Sequence, residues 1–367
     1  MKIDKEPQSV INKLKANGFE AYLVGGCVRD YIMKITPKDY DITTNAKPHE
    51  IEALFEKTID TGANYGTITV IINKTPIEVT TYRIDGEYKN NRHPLGVEFT
   101  TDLIEDLKRR DFTINSIAYD GLNFIDPFQG KEDIEKKIIK GVGEPSKRFE
   151  EDALRILRAI RFSCQLGFDI EKETLNAINE KTHLIKNISV ERIATELKKT
   201  ILSDHLENMK LLNIIFQKTL NIKLDYEKII NTPKDLIIRL ALLSITKETL
   251  KNLKFSNKEI EDVAHLQSSK KPQNRYEAKK IINKIGFENF YRLLKLHTLE
   301  FDKTFNGIER EPIFLKDLKV TGKDIMELGI TGKQIGEVLS YLLNIVHEEK
   351  EKNDKKQLLM EVLKCKK

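Results

Sequence analysis

The residues best suited to chemistry lie in three short stretches. The first is Leu23-Val24-Gly25-Gly26-Cys27-Val28-Arg29-Asp30, followed nine residues later by Asp39-Tyr40-Asp41. Residues two apart on a strand point to one face, so Asp39 and Asp41 set two carboxylates side by side. Their repulsion is costly unless a divalent cation sits between them, and oxygen-only ligands suit Mg²⁺ or Mn²⁺. Gly25 and Gly26 follow a strand and clear side chains from the point where helix N-terminal amides can approach phosphate. Glu78, on a neighbouring strand candidate, completes a carboxylate triad or is an ordinary exposed strand residue. A Gly-Gly turn with Asp-x-Asp at this spacing points to metal-assisted nucleotidyl transfer. Turn or cap roles for the aspartates are the competing reading.

The second stretch is Leu107-Lys108-Arg109-Arg110-Asp111-Phe112-Thr113-Ile114-Asn115. Adjacent arginines cannot face the same way, so one is expected to hold phosphate while the other pairs internally, with Asp111 as a candidate partner. Phe112 and Ile114 are expected to anchor the segment in the core. A solvated basic patch is the plainer alternative. The third stretch starts at Glu151-Asp152-Ala153-Leu154-Arg155 and continues to Arg158 and Arg161. Arginines three apart line one helix face, opposite the apolar stripe of Leu154, Leu157 and Ile160. Asp152 and Arg155 are expected to share that polar face, offering acceptors and donors at the fixed geometry that reading a base edge requires. A surface ion pair is the plainer alternative. Glu191, Arg192 and Glu196 on the next helix are placed to buttress the pair, with Arg192 and Glu196 as i,i+4 partners.

The elements that must position these residues change character along the chain. In residues 1–142, Ala21–Val24 and Tyr40–Thr43 read as strands, and a helix runs through Val28–Met33. Two β-branched runs, Thr67–Ile72 and Ile77–Tyr82, are separated by Asn73–Pro76 and read as a hairpin. Residues 84–101 are polar, carry Gly86, Pro94 and Gly96, and read as a long loop. From about residue 145 the apolar spacing is helical, Gly167 stands where a helix C-terminus wants it, and another helix starts near Ser189. The last 25 residues read as a solvated terminal helix. The expected fold class is a small α+β head followed by an all-α arm.

Composition limits the function classes. The 367 residues are 40% hydrophobic and 32% charged, too apolar for a disordered chain. No apolar run approaches the ~20 residues that a membrane span needs, and the first residues carry no apolar signal segment. Cys27, Cys164 and Cys365 are far apart without a CxxC, which disfavours a disulfide framework or zinc site and points to a reduced, cytoplasmic protein. The net charge of +5 permits an anionic partner without demanding one. More telling, the chain holds 48 Lys but only 14 Arg, and ten of those arginines fall within the first 192 residues. Arginine's planar fork makes bidentate contacts that lysine cannot, so arginines grouped in motifs are candidates for geometric work.

In this order the motifs resemble those of the bacterial-type (class II) tRNA nucleotidyltransferases, the CCA-adding enzymes, and of the related bacterial poly(A) polymerases. The matching segments are LVGGCVRD with DYD, IEVTTYRIDGEYKNNRHP, RRDFTIN, DPFQG, EEDALRILRAIRF and ERIATEL, covering roughly residues 20–200. Lys34 stands where relatives often carry glycine, and Ser116 where they usually carry alanine. The resemblance implies a polymerase-β-like nucleotidyltransferase head at 1–142, then a helical neck at 143–203, body at 204–298 and tRNA-binding tail at 299–367. It implies catalysis by Asp39, Asp41 and Glu78, with two Mg²⁺ (or Mn²⁺) ions on Asp39 and Asp41. It implies a nucleotide site made from Gly25, Gly26, Arg29, Arg110, Asp111, Asn115, Asp152, Arg155, Arg158 and Arg161, supported by Glu151, Glu191, Arg192 and Glu196. Asp152 and Arg155 would select CTP and then ATP without a nucleic-acid template, and the segment 83–101 would help switch from C to A. The implied partners are CTP, ATP and the acceptor and T arms of tRNA. Competing readings are a poly(A) polymerase, a CC-only or A-only enzyme, and a catalytically silent RNA-binding protein. The sequence leaves the oligomeric state open.

Overall fold

The computed structural model describes residues 3–86, 88, 89, 93, 94, 96–297 and 305–365. These form two compact units, one of residues 1–230 with 252–254, the other of residues 231–251 and 255–367. The division at Ile230 falls inside the stretch 204–298 expected to be a single body.

The first unit begins with α1 (Lys5–Ala16), β1 (Ala21–Val24), α2 (Gly26–Ile32), β2 (Asp41–Thr44), α3 (Pro48–Leu54), β3 (Thr58–Gly62), β4 (Thr67–Ile72) and β5 (Thr75–Thr81). Short ladders follow: β6 (Arg83–Asp85), β7 (Tyr88–Lys89), β8 (His93–Pro94) and β9 (Val97–Phe99). Then come α4 (Leu103–Lys108), β10 (Ala118–Tyr119), β11 (Phe124–Ile125), α5 (Gly130–Glu135) and β12 (Ile138–Ile139). The helical part comprises α6 (Pro145–Glu151), α7 (Leu154–Leu166), the short β13 (Asp169–Ile170), α8 (Lys172–Lys181), α9 (Val190–Ile201) and α10 (Lys210–Leu220).

Seven strands make one mixed sheet in the order β11-β10-β1-β2-β5-β4-β3. Strand β1 runs antiparallel to β2 with Val24 opposite Asp41, and β2 runs parallel to β5 with Asp41 opposite Glu78. The register thus brings the glycine turn and two carboxylates to one place. β4 and β5 form the expected hairpin. Its turn residues Asn73 and Lys74 both have positive φ, as a two-residue turn matched to strand twist requires. Residues 84–101 depart from the expected loop: β6 pairs with β9 and β7 with β8. Ladders of two and three residue pairs and mixed polarity are too short for a sequence reading to detect alternation. Residues 87, 90–92 and 95 of this segment lie outside the described residues.

Helix α7 follows its apolar pattern and stops at Gly167, whose φ of 68 lies in the left-handed region. Its apolar side is buried, yet Arg155 and Arg161 are buried as well, so the arginine face is enclosed rather than solvated.

The second unit holds α11 (Leu236–Leu242), α12 (Lys247–Asn252), α13 (Asn257–Ser268), α14 (Arg275–Leu296), α15 (Gly322–Glu327), α16 (Lys333–Glu348) and α17 (Lys355–Cys365). One core packs Ile282, Phe290, Phe305 and Ile308; another packs Ile325, Leu342, Val346, Leu358 and Val362. The terminal helix therefore contributes Leu358 and Val362 to a core instead of lying fully in solvent. Among the described residues no helix is long and apolar enough to cross a membrane.

Candidate active site

Gly25 ends β1 and opens α2 with φ 76 and ψ −139, a conformation that side chains rarely adopt. A Cβ there would lie 3.4 Å from Asp41 Oδ2 and 3.5 Å from Arg110 Nη1. Those are ordinary contact distances, so it is the positive φ that calls for glycine, at a point where the first and second motifs meet. Asp39 lies just before β2, not within it, so strand alternation is not what pairs it with Asp41. Both nevertheless line one open cavity of about 550 Å³.

The same cavity is lined by Gly25, Gly26, Arg29, Arg109, Arg110, Asp111, Asn115, Asp152, Arg155, Arg158, Arg161 and Arg192. With Lys199, eight cationic side chains meet four carboxylates there, so the cavity favours a polyanion. A hydrogen-bonded chain runs through all three motifs. Arg29 bonds Asp30 (2.6 Å) and Asn115 Oδ1 (2.8 Å), Asn115 Nδ2 donates to Asp111 (3.2 Å), and Arg158 Nε donates to Asp111 (2.7 Å). Burial would raise the Asp111 carboxyl, but Arg158 and Asn115 override it and hold the group at about 2.

Asp41 behaves in the opposite way. Burial first, and the Glu78 carboxylate next, push it up to about 6, with Arg110 opposing and Asp39 adding to the rise. A cation at these oxygens would relieve that cost, so Asp39 and Asp41 fit a divalent ion. Glu78 is exposed on β5. Among the described residues no three His, Cys, Asp or Glu side chains gather to hold one ion, although the Glu78 carboxylate is near enough to act on Asp41. Cys27, in the same motif, donates Sγ–H to the Val24 carbonyl and is pushed up to about 11 by burial, which excludes a thiolate nucleophile.

Several expected pairings are corrected. Arg109 and Arg110 both bind Asp106, at 2.7 and 3.1 Å, and neither takes Asp111. Asp152 is not on α7: it stands between α6 and α7, accepts from the Leu154 amide and is clamped by Arg192 at 3.1 and 2.7 Å. Arg155 instead bonds Glu151 (2.6 Å), the Arg148 carbonyl (3.2 Å) and the Arg109 carbonyl (2.9 Å). Glu196 pairs with Arg161 at 2.6 Å, not with Arg192. Both i,i+4 partners are drawn apart by charges on neighbouring elements. Glu151 joins Arg148 and Arg155, whereas Glu191 is exposed in the first turn of α9.

A second cavity of about 610 Å³ lies between β6, α4 and α6 and shares Arg109 with the first. Its other cations are engaged locally, as Lys108–Glu105, Lys147–Glu144 and Arg148–Glu151.

Comparison with known proteins agrees with this geometry. Residues 21–140 match the family described as "Poly A polymerase head domain", and residues 167–213 the "Probable RNA and SrmB- binding site of polymerase A". The CCA-adding enzyme of Staphylococcus haemolyticus is 36% identical over 98% of this chain and 96% of its own. The chain belongs to the CCA-adding enzyme family. The Staphylococcus aureus (strain MRSA252) CCA-adding enzyme is 42% identical over 71% of this chain and 67% of its own. The Bacillus stearothermophilus CCA-adding enzyme, solved in complex with CTP, superposes with a TM-score of 0.85 at 30% identity, covering 99% of this chain and 98% of that one. The α+β nucleotidyltransferase head and all-α arm are thus the fold of this family.

Sequence reasoning missed Asp106. It is fully buried and accepts from Thr43 Oγ1 (3.1 Å), the Arg83 amide (3.4 Å), Arg109 and Arg110. It therefore ties β2 and β6 to both arginines. Its spacing of three and four before Arg109 and Arg110 is the signal that was available. The DPFQG motif also gains a physical role. Asp126 accepts from the Gly130 and Lys131 amides, and a Cβ on Gly130 would sit 2.2 Å from the Thr113 carbonyl. Asp133, on the same helix, accepts from Thr113 Oγ1 at 2.6 Å. This small helix supports the RRDFTIN segment from behind.

Proposed function

We propose that this chain adds C, C and A to the 3′ end of tRNA, using CTP and ATP without a nucleic-acid template. What carries this reading is the convergence of the three motifs on one cavity, with Asp39 and Asp41, seven arginines and Asp152 along its wall. The name of its relatives and the CTP bound by the Bacillus enzyme support it. Asp39 and Asp41 would hold Mg²⁺, with Mn²⁺ as the alternative; bound there, such ions activate a hydroxyl and neutralise phosphate charge.

The chain's own side chains supply the rest. The Gly25–Gly26 turn leaves room for phosphate at the N-terminus of α2, next to Arg110. Arg29, Arg110, Arg158 and Arg161 offset the triphosphate charge and orient it. The tRNA 3′-hydroxyl oxygen attacks the α-phosphorus and its proton passes to solvent water, while the bond from that phosphorus to the oxygen bridging it to the β-phosphorus breaks and diphosphate leaves with that oxygen. Asp152 and Arg155 select the base. The exocyclic amines of C and A donate to Asp152, whereas U and G would present a carbonyl to that carboxylate. In this reading the neck is 143–203, the body 204–298 and the tRNA-binding tail 299–367. The cytoplasm is the compartment that fits buried thiols at Cys27 and Cys164.

The test is incubation with tRNA that ends at the discriminator base. CTP alone should add two residues, CTP with ATP three, and ATP alone essentially none. Continuous tailing from ATP alone would identify a poly(A) polymerase. Arrest after CC with both nucleotides would identify a CC-only enzyme, and absence of any extension would leave a silent RNA-binding protein.

A further inference from the structure

We propose that Phe162 is a positioning residue of the nucleotide site, its ring face setting three guanidiniums against the bound nucleotide. This inference rests on the nucleotide-binding role given to the cavity. Phe162 lies on α7, is 5% exposed and lines the cavity wall. The guanidinium carbons of Arg161, Arg29 and Arg158 stand 3.9, 5.3 and 5.3 Å from its ring centroid. All three lie within the ~6 Å over which an aromatic face attracts a cation.

Three like charges gather there from two helices, α2 and α7. Each has its own anion: Asp30 for Arg29, Asp111 for Arg158 and Glu196 for Arg161. Asp30 adjoins Arg29 on α2, Asp111 lies in the RRDFTIN segment and Glu196 lies on α9. The Phe162 ring is an attraction that all three share, and it joins Arg161, whose acid is Glu196, to the Arg29–Asn115–Asp111–Arg158 network. The ring itself is held by Phe112, fully buried in the RRDFTIN segment, in an edge-on contact at 5.9 Å and 84°. An aliphatic side chain would fill the same volume but carry no quadrupole to hold the cations.

The decisive variant keeps shape and removes the attraction. Phe162→pentafluorophenylalanine in the full chain retains a ring while reversing the sign of its face. Equilibrium Kd for CTP and for ATP is measured without tRNA, next to steady-state KM, kcat and thermal midpoint. Phe162→Leu and Phe162→Tyr are measured in parallel. The expected result is a rise of roughly tenfold in Kd and KM for both nucleotides in the fluorinated and Leu variants, equivalent to about 1.4 kcal/mol. The KM for tRNA should stay within twofold, and Phe162→Tyr should restore nucleotide affinity. Unchanged nucleotide Kd in the fluorinated protein would overturn the proposal, whatever Phe162→Leu does to folding. Wild type that binds CTP but extends no tRNA would overturn CCA addition while leaving the Phe162 test intact. Wild type that binds no nucleotide would overturn both.

Discussion

Around the cavity of the first unit, seven arginines are each held by a carboxylate and still line an open space. In the second unit a buried cation serves only internal packing. Lys279, 3% exposed, bonds Glu311 at 2.7 Å and the His347 carbonyl at 2.9 Å. The His347 ring completes that joint, with Nε2 donating to the Ile313 carbonyl at 2.9 Å because a carbonyl can only accept. Burial, the main cause, lowers its pKa. Charge is thus buried in both units, but in one it faces an open cavity and in the other it locks α14 to α16. The difference lies in placement rather than residue type: Lys279, and the buried Arg239 that bonds the Pro233 and Thr232 carbonyls, face only their own unit, whereas the cavity's guanidiniums keep an open side.

The largest test removes the two carboxylates proposed to hold the metal. Asp39→Ala or Asp41→Ala should lower incorporation of both CTP and ATP by several orders of magnitude, since charge stabilisation of the displacement depends on them. Filter binding should show tRNA affinity nearly unchanged. Activity near wild type in either variant would break the assignment of that end of the cavity.

A matched pair of substitutions sharpens the contrast itself. Asp106→Asn strips the anion from two cavity arginines, and Glu311→Gln strips it from Lys279. Glu311→Gln leaves the buried Lys279 uncompensated, and Arg275 without its partner, and should cost about 3–5 kcal/mol in urea unfolding; Asp106→Asn frees two half-buried arginines and should cost less. At a temperature where both are folded, Asp106→Asn should raise nucleotide KM at least tenfold, and Glu311→Gln should leave it within twofold. Equal effects on KM would erase the distinction between the units.

How much of this was legible depends on range. β1, the β4–β5 hairpin and α7 could be read because β-branched runs, apolar spacing and Gly167 act locally. The cavity residues could be named because motifs group them. Their pairing could not, since Arg192 and Glu196 obey i,i+4 spacing only until Asp152 and Arg161 compete for them across the packing. Asp106 was invisible for a related reason. Three residues before Arg109 it resembles a surface partner, and only the fold, which brings Thr43 and the Arg83 amide onto it, makes it buried.

A smaller effect appears with pH. The Asp111 carboxyl is depressed from an ordinary 3.8 to about 2 in the folded chain. Between those values the unfolded chain binds more protons. The stabilisation, roughly 2 kcal/mol, is therefore fully present above about pH 5 and is lost as pH falls through about 2. Urea unfolding of wild type and Asp111→Asn between pH 2 and 6 should show the wild-type advantage shrinking over that window. A constant difference would contradict the Arg158–Asp111 link.

The smallest effect lies outside both cavity and joint. Lys34 is exposed and holds φ 60 at the end of α2, where glycine avoids the left-handed penalty. Lys34→Gly should stabilise the chain by about 0.5–1 kcal/mol in thermal unfolding, with kinetics unchanged.

The central claim is that protein side chains read the incoming base, and Asp152 tests it most directly. The measurement is kcat/KM for CTP, ATP, UTP and GTP in wild type, Asp152→Ala and Arg155→Ala. Loss of the Asp152 carboxylate should erode CTP:UTP discrimination by roughly tenfold to 150-fold, the ~1–3 kcal/mol of a mismatched base edge, and Arg155→Ala should act in the same direction. A lower rate and lower stability with the CTP:UTP ratio unchanged would mean that Asp152 serves only as the anchor of Arg192, and the templating account would be wrong.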